Sequence, residues 1–450
     1  MPKQQTSTKR PASNGARNHP ASNGKRPAPK PAISLPCSIN IAQFQLDNGI
    51  RIYAYENPAS PAVVVNGYLE AGSRDVLPQK AGLASFTTDC LMRGTEHYSY
   101  EQLFELTESI GANLSVSSGI HITGFYAKSL AEDLPAMFTM LSDVIRRPTF
   151  PAEEIEKERS EWLSDLDERA NSTRAQAGMA FGELCYPENH PYHYAADGYP
   201  ETARAITRDD VVAFHREHYA PQGMVIVVVG GVKAAQVLEY VTAALGDWQA
   251  TRPQRAEMPP TPRIVGQPRK HISMPGKSQT NLMWGYPGPS CTDPDWISCT
   301  LMNSILGQFG MYGRLGESVR KEEGLVYYIG SAFQGGPGPG SWCLYAGTNP
   351  KSVERVVDLS VAEVRRIRLR KVSAMELEDN KSYFTGVMPL GLETNEGIAA
   401  QITNMVRYDL GLDHLLHYPR LVNAVTVADI RASAQKWLDP DNFVLTSAGS

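Results

Sequence analysis

Histidine and cysteine side chains are the first candidates for metal or nucleophilic chemistry in this 450-residue chain. One pair, His215-Arg-Glu-His218, places two imidazoles beside a carboxylate, a combination that can bind a metal ion from one helix. This run has one spacer residue too few for known zinc helices, and its continuation into Tyr219-Ala-Pro221 favours a structural element. His190 and His193 flank a proline and are typical of hydrogen-bond donors in a loop. The six cysteines are dispersed without a Cys-x-x-Cys pair, which predicts reduced structural thiols rather than a metal site.

The segment Gly82–Thr95, GLASFTTDCLMRGT, carries a different signal. Its apolar frame and terminal Gly-Thr resemble the zinc helix of the pitrilysin or insulinase-type peptidases, the inverzincins. In that family the helix reads His-x-x-Glu-His, in which the histidines bind zinc and the glutamate is the general base. The corresponding positions here are Ser85, Thr88 and Asp89. The resemblance therefore implies that this chain binds no zinc and lacks the base, because hydroxyl groups replace neither imidazoles nor a proton-accepting carboxylate.

Carboxylates are the donors that remain around this helix. Asp165 falls near the position of the family's distant Glu ligand, and Glu158 lies seven residues earlier. Together with Asp89, they are expected to hold a hard cation weakly at best. The resemblance runs from about residue 40 through nearly the whole chain, and it includes HPYHYAADGYPE at 190–201 and HYAPQGMVIVVVGGV at 218–232.

A second element of the resemblance lies in the other half of the chain. The run from Arg314 to Tyr327 predicts a helix that is closed by Gly324 and followed by a strand. In the family, an Arg that ends this helix and a Tyr seven residues later form the R/Y pair, which corresponds to Arg320 and Tyr327. The resemblance implies that both side chains donate hydrogen bonds to substrate carbonyl oxygens, with the Tyr at the developing oxyanion. Taken alone, an Arg at a helix end and a Tyr at a strand start are structurally ordinary.

Two glycine-rich runs need separate interpretation. Gly335–Gly340, GGPGPG, lacks the Lys-Ser/Thr of a phosphate-binding loop and opens no helix, so a hairpin or a substrate-facing loop is favoured. Gly307–Gly313, GQFGMYG, precedes the R/Y helix and either lines the cleft or forms a tight turn.

The chain also contains an internal repeat. Thr207–Gly230 matches Thr426–Gly449 without a gap at an offset of 219 residues, which indicates two homologous domains. We predict an α+β fold in which each domain has a mainly antiparallel sheet with helices packed on one face. The predicted boundaries are 1–38 for a disordered, basic, proline-rich tail, 39–248 for the first domain, 249–270 for a proline-rich linker, and 271–450 for the second domain.

Composition limits the classes of function. Residues 1–36 carry seven Lys or Arg and no acidic residue, and since the whole chain has a net charge of −5, the remainder is at −12. An acidic body argues against nucleic acid as a partner. No apolar run approaches a membrane-spanning length, and no signal peptide or amphipathic presequence is evident, so a cytoplasmic location is expected.

The resemblance implies a division of labour. Because the R/Y pair is present and the zinc motif is absent, we expect this chain to be the non-zinc subunit of a heterodimer. The expected partner is a paralogous peptidase subunit that carries His-x-x-Glu-His and the zinc, and the expected substrate is an unfolded peptide added as a strand to a sheet edge. The alternative is a catalytically silent scaffold or peptide-binding homologue. A free-standing peptidase using another metal would need ligands that the sequence does not offer.

Overall fold

The computed structural model describes residues 35–261, 263–308 and 312–450. Its strands are β1 Ile41–Gln45, β2 Arg51–Glu56, β3 Ala62–Leu69, β4 Asn113–Ser118, β5 Thr123–Leu130, β6 Val225–Gly230, β7 Arg269–Ser273, β8 Thr280–Pro287, β9 Val326–Phe333, β10 Ser341–Thr348 and β11 Val444–Gly449. Its α-helices are α1 Leu83–Cys90, α2 Tyr100–Ser109, α3 Leu134–Arg146, α4 Ala152–Ala170, α5 Thr173–Cys185, α6 Pro200–Ala205, α7 Arg208–His218, α8 Ala234–Leu245, α9 Trp296–Asn303, α10 Val353–Leu369, α11 Ala374–Leu390, α12 Asn395–Arg407, α13 His414–Ala424 and α14 Val427–Trp437. Two further helical segments, Ser304–Gln308 and Gly316–Glu322, have the wider turns of a π-helix.

The strands form two sheets, one in each half of the chain. The first has the order β1-β2-β6-β3-β5-β4, and the second has the order β7-β11-β8-β10-β9. Most neighbours are antiparallel, and the pairs β2/β6 and β7/β11 are parallel. The fold class predicted from the sequence, α+β with two mainly antiparallel sheets, is confirmed.

The 219-residue repeat is visible in the structure. Helix α7 and strand β6 recur as α14 and β11 at this offset, with identical lengths. Each helix begins with the same capping box: Thr207 with Asp210 in α7, and Thr426 with Asp429 in α14. In each box the Thr hydroxyl accepts from the Asp backbone N–H, and the Asp carboxylate accepts from the Thr backbone N–H, so both helix starts are satisfied in the same way.

Helices of the same half cover one face of each sheet, and a helix from the other half covers the opposite face. In the first half, α1, α3, α4, α7 and α8 supply the core against the β2, β3, β5 and β6 side chains. The other face of this sheet packs against Ile398, Ile402 and Met405 of α12, which belongs to the second half. Reciprocally, Phe181 and Cys185 of α5 lie in the core of the second half. The sequence predicted the helix-covered face but not this exchange of helices.

Residues Leu35–Ser450 form one compact unit, so the boundaries 39–248 and 271–450 stay a prediction. Among the described residues of the segment 249–270, only 269–270 belong to a helix or strand, and the segment makes side-chain contacts with both halves. Arg252 pairs with Glu70, and Arg255 pairs with Asp75. The arginines of this segment thus pair with acidic side chains of the first half.

The N-terminal tail was predicted to extend to residue 38. Residues 1–34 lie outside the described part of the chain, whereas residues 35–38 are packed on the fold. Cys37 is buried, and the Ser38 backbone N–H donates to the Asp413 carboxylate over 2.9 Å. Residues 35–38 of the predicted tail therefore belong to the fold, because Leu35 and Cys37 pack against it, which a proline-rich composition does not reveal.

Candidate functional site

Helix α1 carries three of the positions singled out from the sequence. It begins after Gly82, whose φ of +96° favours glycine and whose absent Cβ leaves room for Trp162, 2.6 Å away from where a Cβ would stand. The Trp162 ring of α4 stacks on Phe86 of α1 with centroids 4.7 Å apart. The indole N–H of Trp162 donates to the Asp197 carbonyl over 2.9 Å. These contacts fix α1 against α4, the helix that carries Glu158 and Asp165.

Thr88, at the position of the family's general base, is buried and has a structural set of partners. Its hydroxyl donates to the Ala84 carbonyl over 2.9 Å and lies 3.1 Å from the Tyr219 hydroxyl. The Tyr219 hydroxyl is also 3.4 Å from the Thr123 hydroxyl. Burial raises the pKa of Tyr219, so this network is neutral and contains no proton acceptor strong enough to activate water.

The carboxylates around α1 are close enough to perturb one another. Burial, followed by the charges of Glu158 and Asp197, raises the pKa of Asp89 from 3.8 to about 7, although the residue keeps solvent exposure. Burial also raises the pKa of Glu158, and the ion pair with Arg93 opposes that increase. Asp165 is exposed on α4 and adds a smaller repulsion to Asp89. The structure thus brings Asp89, Glu158 and Asp165 into one acidic neighbourhood.

Arg93 is a member of this neighbourhood that the sequence reasoning missed. Its guanidinium pairs with Glu158 and, over 2.8 Å, with Glu161, and it lies 4.7 Å above the Tyr100 ring. Its position four residues after Asp89 in the same helical run was the available signal. The negative charge of the Glu158 carboxylate is therefore balanced by Arg93 of the same chain.

These residues do not fit a zinc ion. Ser85 and Thr88 offer hydroxyl groups, Asp89 has a raised pKa that favours its protonated form, and Glu158 is engaged by Arg93. Across residues 35–261, 263–308 and 312–450, no group of three or more His, Cys, Asp or Glu side chains is arranged to hold a metal ion.

Arg320 and Tyr327 lie in the second half, in the elements that the sequence predicts. Arg320 is in the last turn of the helical segment Gly316–Glu322, and Gly324 follows with a φ of +64°. Tyr327 is the second residue of β9, an edge strand that pairs only with β10 among the described strands. Both side chains are exposed, Tyr327 with 61% of its surface.

A β-bulge sets the direction of Tyr327. Along the β9/β10 ladder, Tyr328 is opposite Gly347, whereas Val326 is opposite Thr348, so Tyr327 has no partner in the register. A bulge of this kind turns a side chain away from the alternation of the strand. Tyr327 is exposed while Val326 is buried, so the Tyr327 phenol is accessible from solvent.

Arg320 has no ion-pair partner within the described residues. The nearby acidic residues Glu317 and Glu323 are instead paired with Lys321 and Arg355, both over 2.8 Å. Tyr327 likewise makes no hydrogen bond to a described residue. Nor does any hydrogen bond, ion pair or ring contact in the described chain join this pair to the acidic neighbourhood of α1.

The other candidate residues have structural surroundings. His215 is 2.8 Å from the Ile145 carbonyl, and burial lowers its pKa to about 4. His218 packs on the Phe214 ring, so the two histidines do not converge on a metal. His193 is 2.8 Å from the Tyr186 carbonyl, to which it can only donate, whereas His190 differs from expectation because its Nδ1 accepts from the Tyr192 backbone N–H.

The two glycine-rich runs have different outcomes. Gly335–Gly340 connects the antiparallel strands β9 and β10, so the hairpin of the two interpretations is confirmed, whereas a role in facing substrate stays a prediction. Gly307 and Gly313 lie against each other, since a Cβ on Gly313 would stand 3.1 Å from the Gly307 Cα. The middle of that run, residues 309–311, lies outside the described residues.

Comparisons with known proteins agree with this fold. Residues 51–183 match the family model described as insulinase (peptidase family M16), and residues 205–384 match the model described as the peptidase M16 inactive domain. The chain belongs to this pitrilysin/insulinase-type peptidase family. No helix in the described residues is long and apolar enough to cross a membrane.

Several relatives and solved structures resemble the chain over most of its length. An uncharacterized zinc protease of Mycobacterium leprae is 24% identical over 409 residues, which cover 89% of this chain and 90% of that protein. Subunit 1 of the mitochondrial cytochrome b-c1 complex of Bos taurus is 27% identical over 266 residues, which cover 59% of this chain and 55% of the subunit.

The crystal structure of a peptidase M16 inactive domain from Pseudomonas fluorescens is 25% identical with a TM-score of 0.84, covering 91% of this chain and 98% of that one. A protease from Helicobacter pylori, 18% identical, shares the fold with a TM-score of 0.83 over 93% of this chain and 100% of its own.

Proposed function

We propose that this chain is the non-zinc subunit of a heteromeric zinc peptidase. In this proposal it binds no metal of its own and supplies Arg320 and Tyr327 to an active site whose zinc is held by a paralogous His-x-x-Glu-His subunit. The substrate is an unfolded peptide, and a cytoplasmic location belongs to the same proposal.

The observation that carries the proposal is the state of the Arg–Tyr pair. Arg320 is exposed and has no ion-pair partner in the described chain, although neighbouring arginine and lysine side chains are paired. Tyr327 is exposed on an edge strand, at a bulge that removes it from the ladder. Bulges and π-type turns are over-represented next to functional sites. Both side chains are therefore available to donate hydrogen bonds to a bound peptide.

The chemistry of the two groups suits peptide hydrolysis. When water adds to a peptide carbonyl, negative charge develops on the carbonyl oxygen. A phenol O–H or a guanidinium N–H can donate a hydrogen bond to that oxygen. Loss of one such donor typically costs about 10²–10³ in rate. Arg320 offers a planar array of N–H donors, which suits the fixed carbonyl positions of an extended peptide. Tyr327 stands on the edge strand β9, where a peptide can add as a further strand.

Relatives support the proposal in two ways. One relative is named an uncharacterized zinc protease, which fits a peptidase role for the family. The Pseudomonas fluorescens structure is named for an inactive domain, and the matching model over residues 205–384 contains both Arg320 and Tyr327. An inactive chain that keeps these donors is expected to act together with an active one.

Complementation tests the proposal. The purified chain, a paralogous His-x-x-Glu-His subunit of similar length, and the mixture are assayed with an internally quenched peptide, and each is passed over a sizing column. We expect hydrolysis well above that of either component only in the mixture, coeluting with a heterodimer and abolished by a zinc chelator. Activity of this chain alone, or a heterodimer no more active than the zinc subunit, would contradict the proposal.

A second candidate function is a silent scaffold. It is favoured by the 27% identity to a subunit of the mitochondrial cytochrome b-c1 complex. In that case the chain assembles with other proteins, and Arg320 and Tyr327 have no effect on any turnover. A heterodimer whose activity is unchanged by substitution of both residues would favour the scaffold.

A further inference from the structure

A cavity of about 390 Å³ lies between the two halves of the compact unit, and neither the acidic neighbourhood of α1 nor the Arg–Tyr pair lines it. Its walls come from the β4–β5 turn, helix α5 and the segment after it, the Gly335–Gly340 turn, and the end of α12. The exchange of helices therefore creates this cavity, because α5 and α12 each reach into it from the opposite half. Its volume is in the range of small-molecule binding sites.

The cavity contains an uncompensated cation. Arg407 lines it, and the Nε of Arg407 is buried without a hydrogen-bond partner. Within the described chain Arg407 makes no ion pair. Its guanidinium carbon lies 5.4 Å from the centroid of the Tyr408 ring. No Asp or Glu of the described residues lines the cavity. A half-buried guanidinium without an anion is costly, which points to an anion supplied from outside.

A hydroxyl donor lies in the same cavity. The Nε2 of His121 is 2.6 Å from the Tyr192 hydroxyl, and the Nδ1 of His121 is 3.5 Å from Arg74 Nη1. Burial, followed by the charges of Arg74 and Arg407, lowers the pKa of His121 to about 4, so its ring is neutral near pH 7. Since Arg74 can only donate, Nδ1 is the acceptor and Nε2 carries the proton that it donates to Tyr192. The Tyr192 hydroxyl hydrogen is then free to point into the cavity.

Most of the remaining lining is apolar or glycine, and its polar members Gln334 and Ser341 are hydrogen-bonded to each other over 3.0 Å. Phe181, Tyr186 and Met283 face the cavity, together with three glycines of the β9–β10 turn. Gly336 is close to His121 and Tyr192, because a Cβ there would stand 3.8 Å from His121 Nε2 and 4.0 Å from the Tyr192 hydroxyl. The turn thus passes beside His121 and the Tyr192 hydroxyl, with no side chain at Gly336 to cover them.

We propose that this cavity binds an organic carboxylate joined to an apolar or aromatic group. The carboxylate accepts hydrogen bonds from the Arg407 guanidinium and the Tyr192 hydroxyl, and the attached group packs among Phe181, Tyr186 and Met283. A free organic acid and the C-terminal residue of a peptide share this chemistry. The site does not use Arg320 or Tyr327, so it stands or falls independently of the peptidase proposal.

The test measures binding to the full chain by isothermal titration calorimetry at pH 7.5. The probes are N-acetyl-phenylalanine, its neutral amide, and a pentapeptide ending in phenylalanine with a free or amidated C-terminus. Variants are Arg407→Gln, Tyr192→Phe and, as a matched control, Arg370→Gln, since Arg370 is an exposed arginine at the end of α10 without a side-chain partner in the described chain.

We expect saturable binding of N-acetyl-phenylalanine and at least about tenfold weaker binding of its amide, because the charge-assisted hydrogen bond is lost. Arg407→Gln should weaken binding of the acid to the same degree, Tyr192→Phe should weaken it several-fold, and Arg370→Gln should leave it unchanged. Tighter binding of the free-carboxyl pentapeptide than of the acid assigns the site to peptide termini, and the reverse order assigns it to free acids. Equal binding of acid and amide, an Arg407→Gln variant that folds and binds like wild type, or no saturable binding of any carboxylate would overturn the proposal. Should Arg407→Gln fail to fold, Tyr192→Phe with unchanged affinity would overturn it as well.

Discussion

Because α12 of the second half packs on the sheet of the first half, a substitution in α12 should destabilise the first half. Ile402 of α12 belongs to the second half in sequence but is fully buried against the first sheet. Ile402→Ala removes three carbon atoms, which corresponds to about 2.5 kcal/mol at about 0.8 kcal/mol for each buried methylene. The residual cavity raises the expected loss to about 3–4 kcal/mol, within the range of comparable substitutions. This destabilisation should appear in the first half, although Ile402 is more than 170 residues away in sequence from β6.

Hydrogen exchange followed by mass spectrometry measures this effect by location. Peptides covering β3 and β6 should exchange about 100-fold faster in Ile402→Ala, because about 3 kcal/mol corresponds to roughly two decades in the opening equilibrium. Asn404→Ala is the matched control, since Asn404 lies two residues further along α12 on its exposed face. If faster hydrogen exchange is confined to peptides of the second half, or if Asn404→Ala has the same effect, the packing of α12 on the first sheet is contradicted.

Three further predictions concern the candidate site. Dialysis of the purified chain against zinc should leave far less than one equivalent by elemental analysis, because Ser85, Thr88 and Asp89 do not form a ligand set; a stoichiometric zinc content would contradict the assignment. Folding raises the pKa of Asp89 to about 7, so the folded chain binds this proton more tightly than the unfolded chain does. The free energy of unfolding should therefore fall as pH rises from about 4 to about 7. Asp89→Asn should therefore raise the melting temperature at pH 8 by an amount equivalent to about 1–2 kcal/mol, since solvent screening reduces the full effect, and should change it little at pH 4; an equal effect at both values would exclude this origin. Arg320→Lys should lower turnover of the assembled complex about tenfold or more, because an ammonium does not reproduce the planar donors of a guanidinium, whereas Arg370→Gln should not; equal turnover in both would remove Arg320 from the site.

The elements that carry the repeat could be predicted well from the sequence. The Thr-x-x-Asp starts of α7 and α14, and the β-branched run of β6, are local signals that depend on few neighbours. The turn at Gly324 and the strand after it are of the same kind, so Arg320 and Tyr327 were assigned to the correct elements. The position of Tyr327 outside the ladder could not be deduced, because the bulge depends on how β9 pairs with β10.

Features that depend on distant pairs could not be predicted. The apolar face of α12 shows that the helix packs on something, but not that it packs on the sheet of the other half. The proline-rich composition of 249–270 does not reveal the ion pairs of Arg252 and Arg255, because their acidic partners are 182 and 180 residues away. The cavity around Arg407 has the same origin, because its walls are assembled from five separate stretches of the chain.

The central claim is that Tyr327 acts in the active site of a complex whose zinc is on another subunit. The most direct measurement is kcat of the heterodimer containing Tyr327→Phe, with assembly verified by sizing and with the zinc content of the partner unchanged. Removal of the hydroxyl should lower kcat by about 10²–10³, the usual cost of one oxyanion donor. Tyr240→Phe on α8 of the first half, which likewise removes one phenolic hydroxyl, should leave kcat unchanged. Wild-type turnover by an intact Tyr327→Phe complex would contradict the account and favour the scaffold.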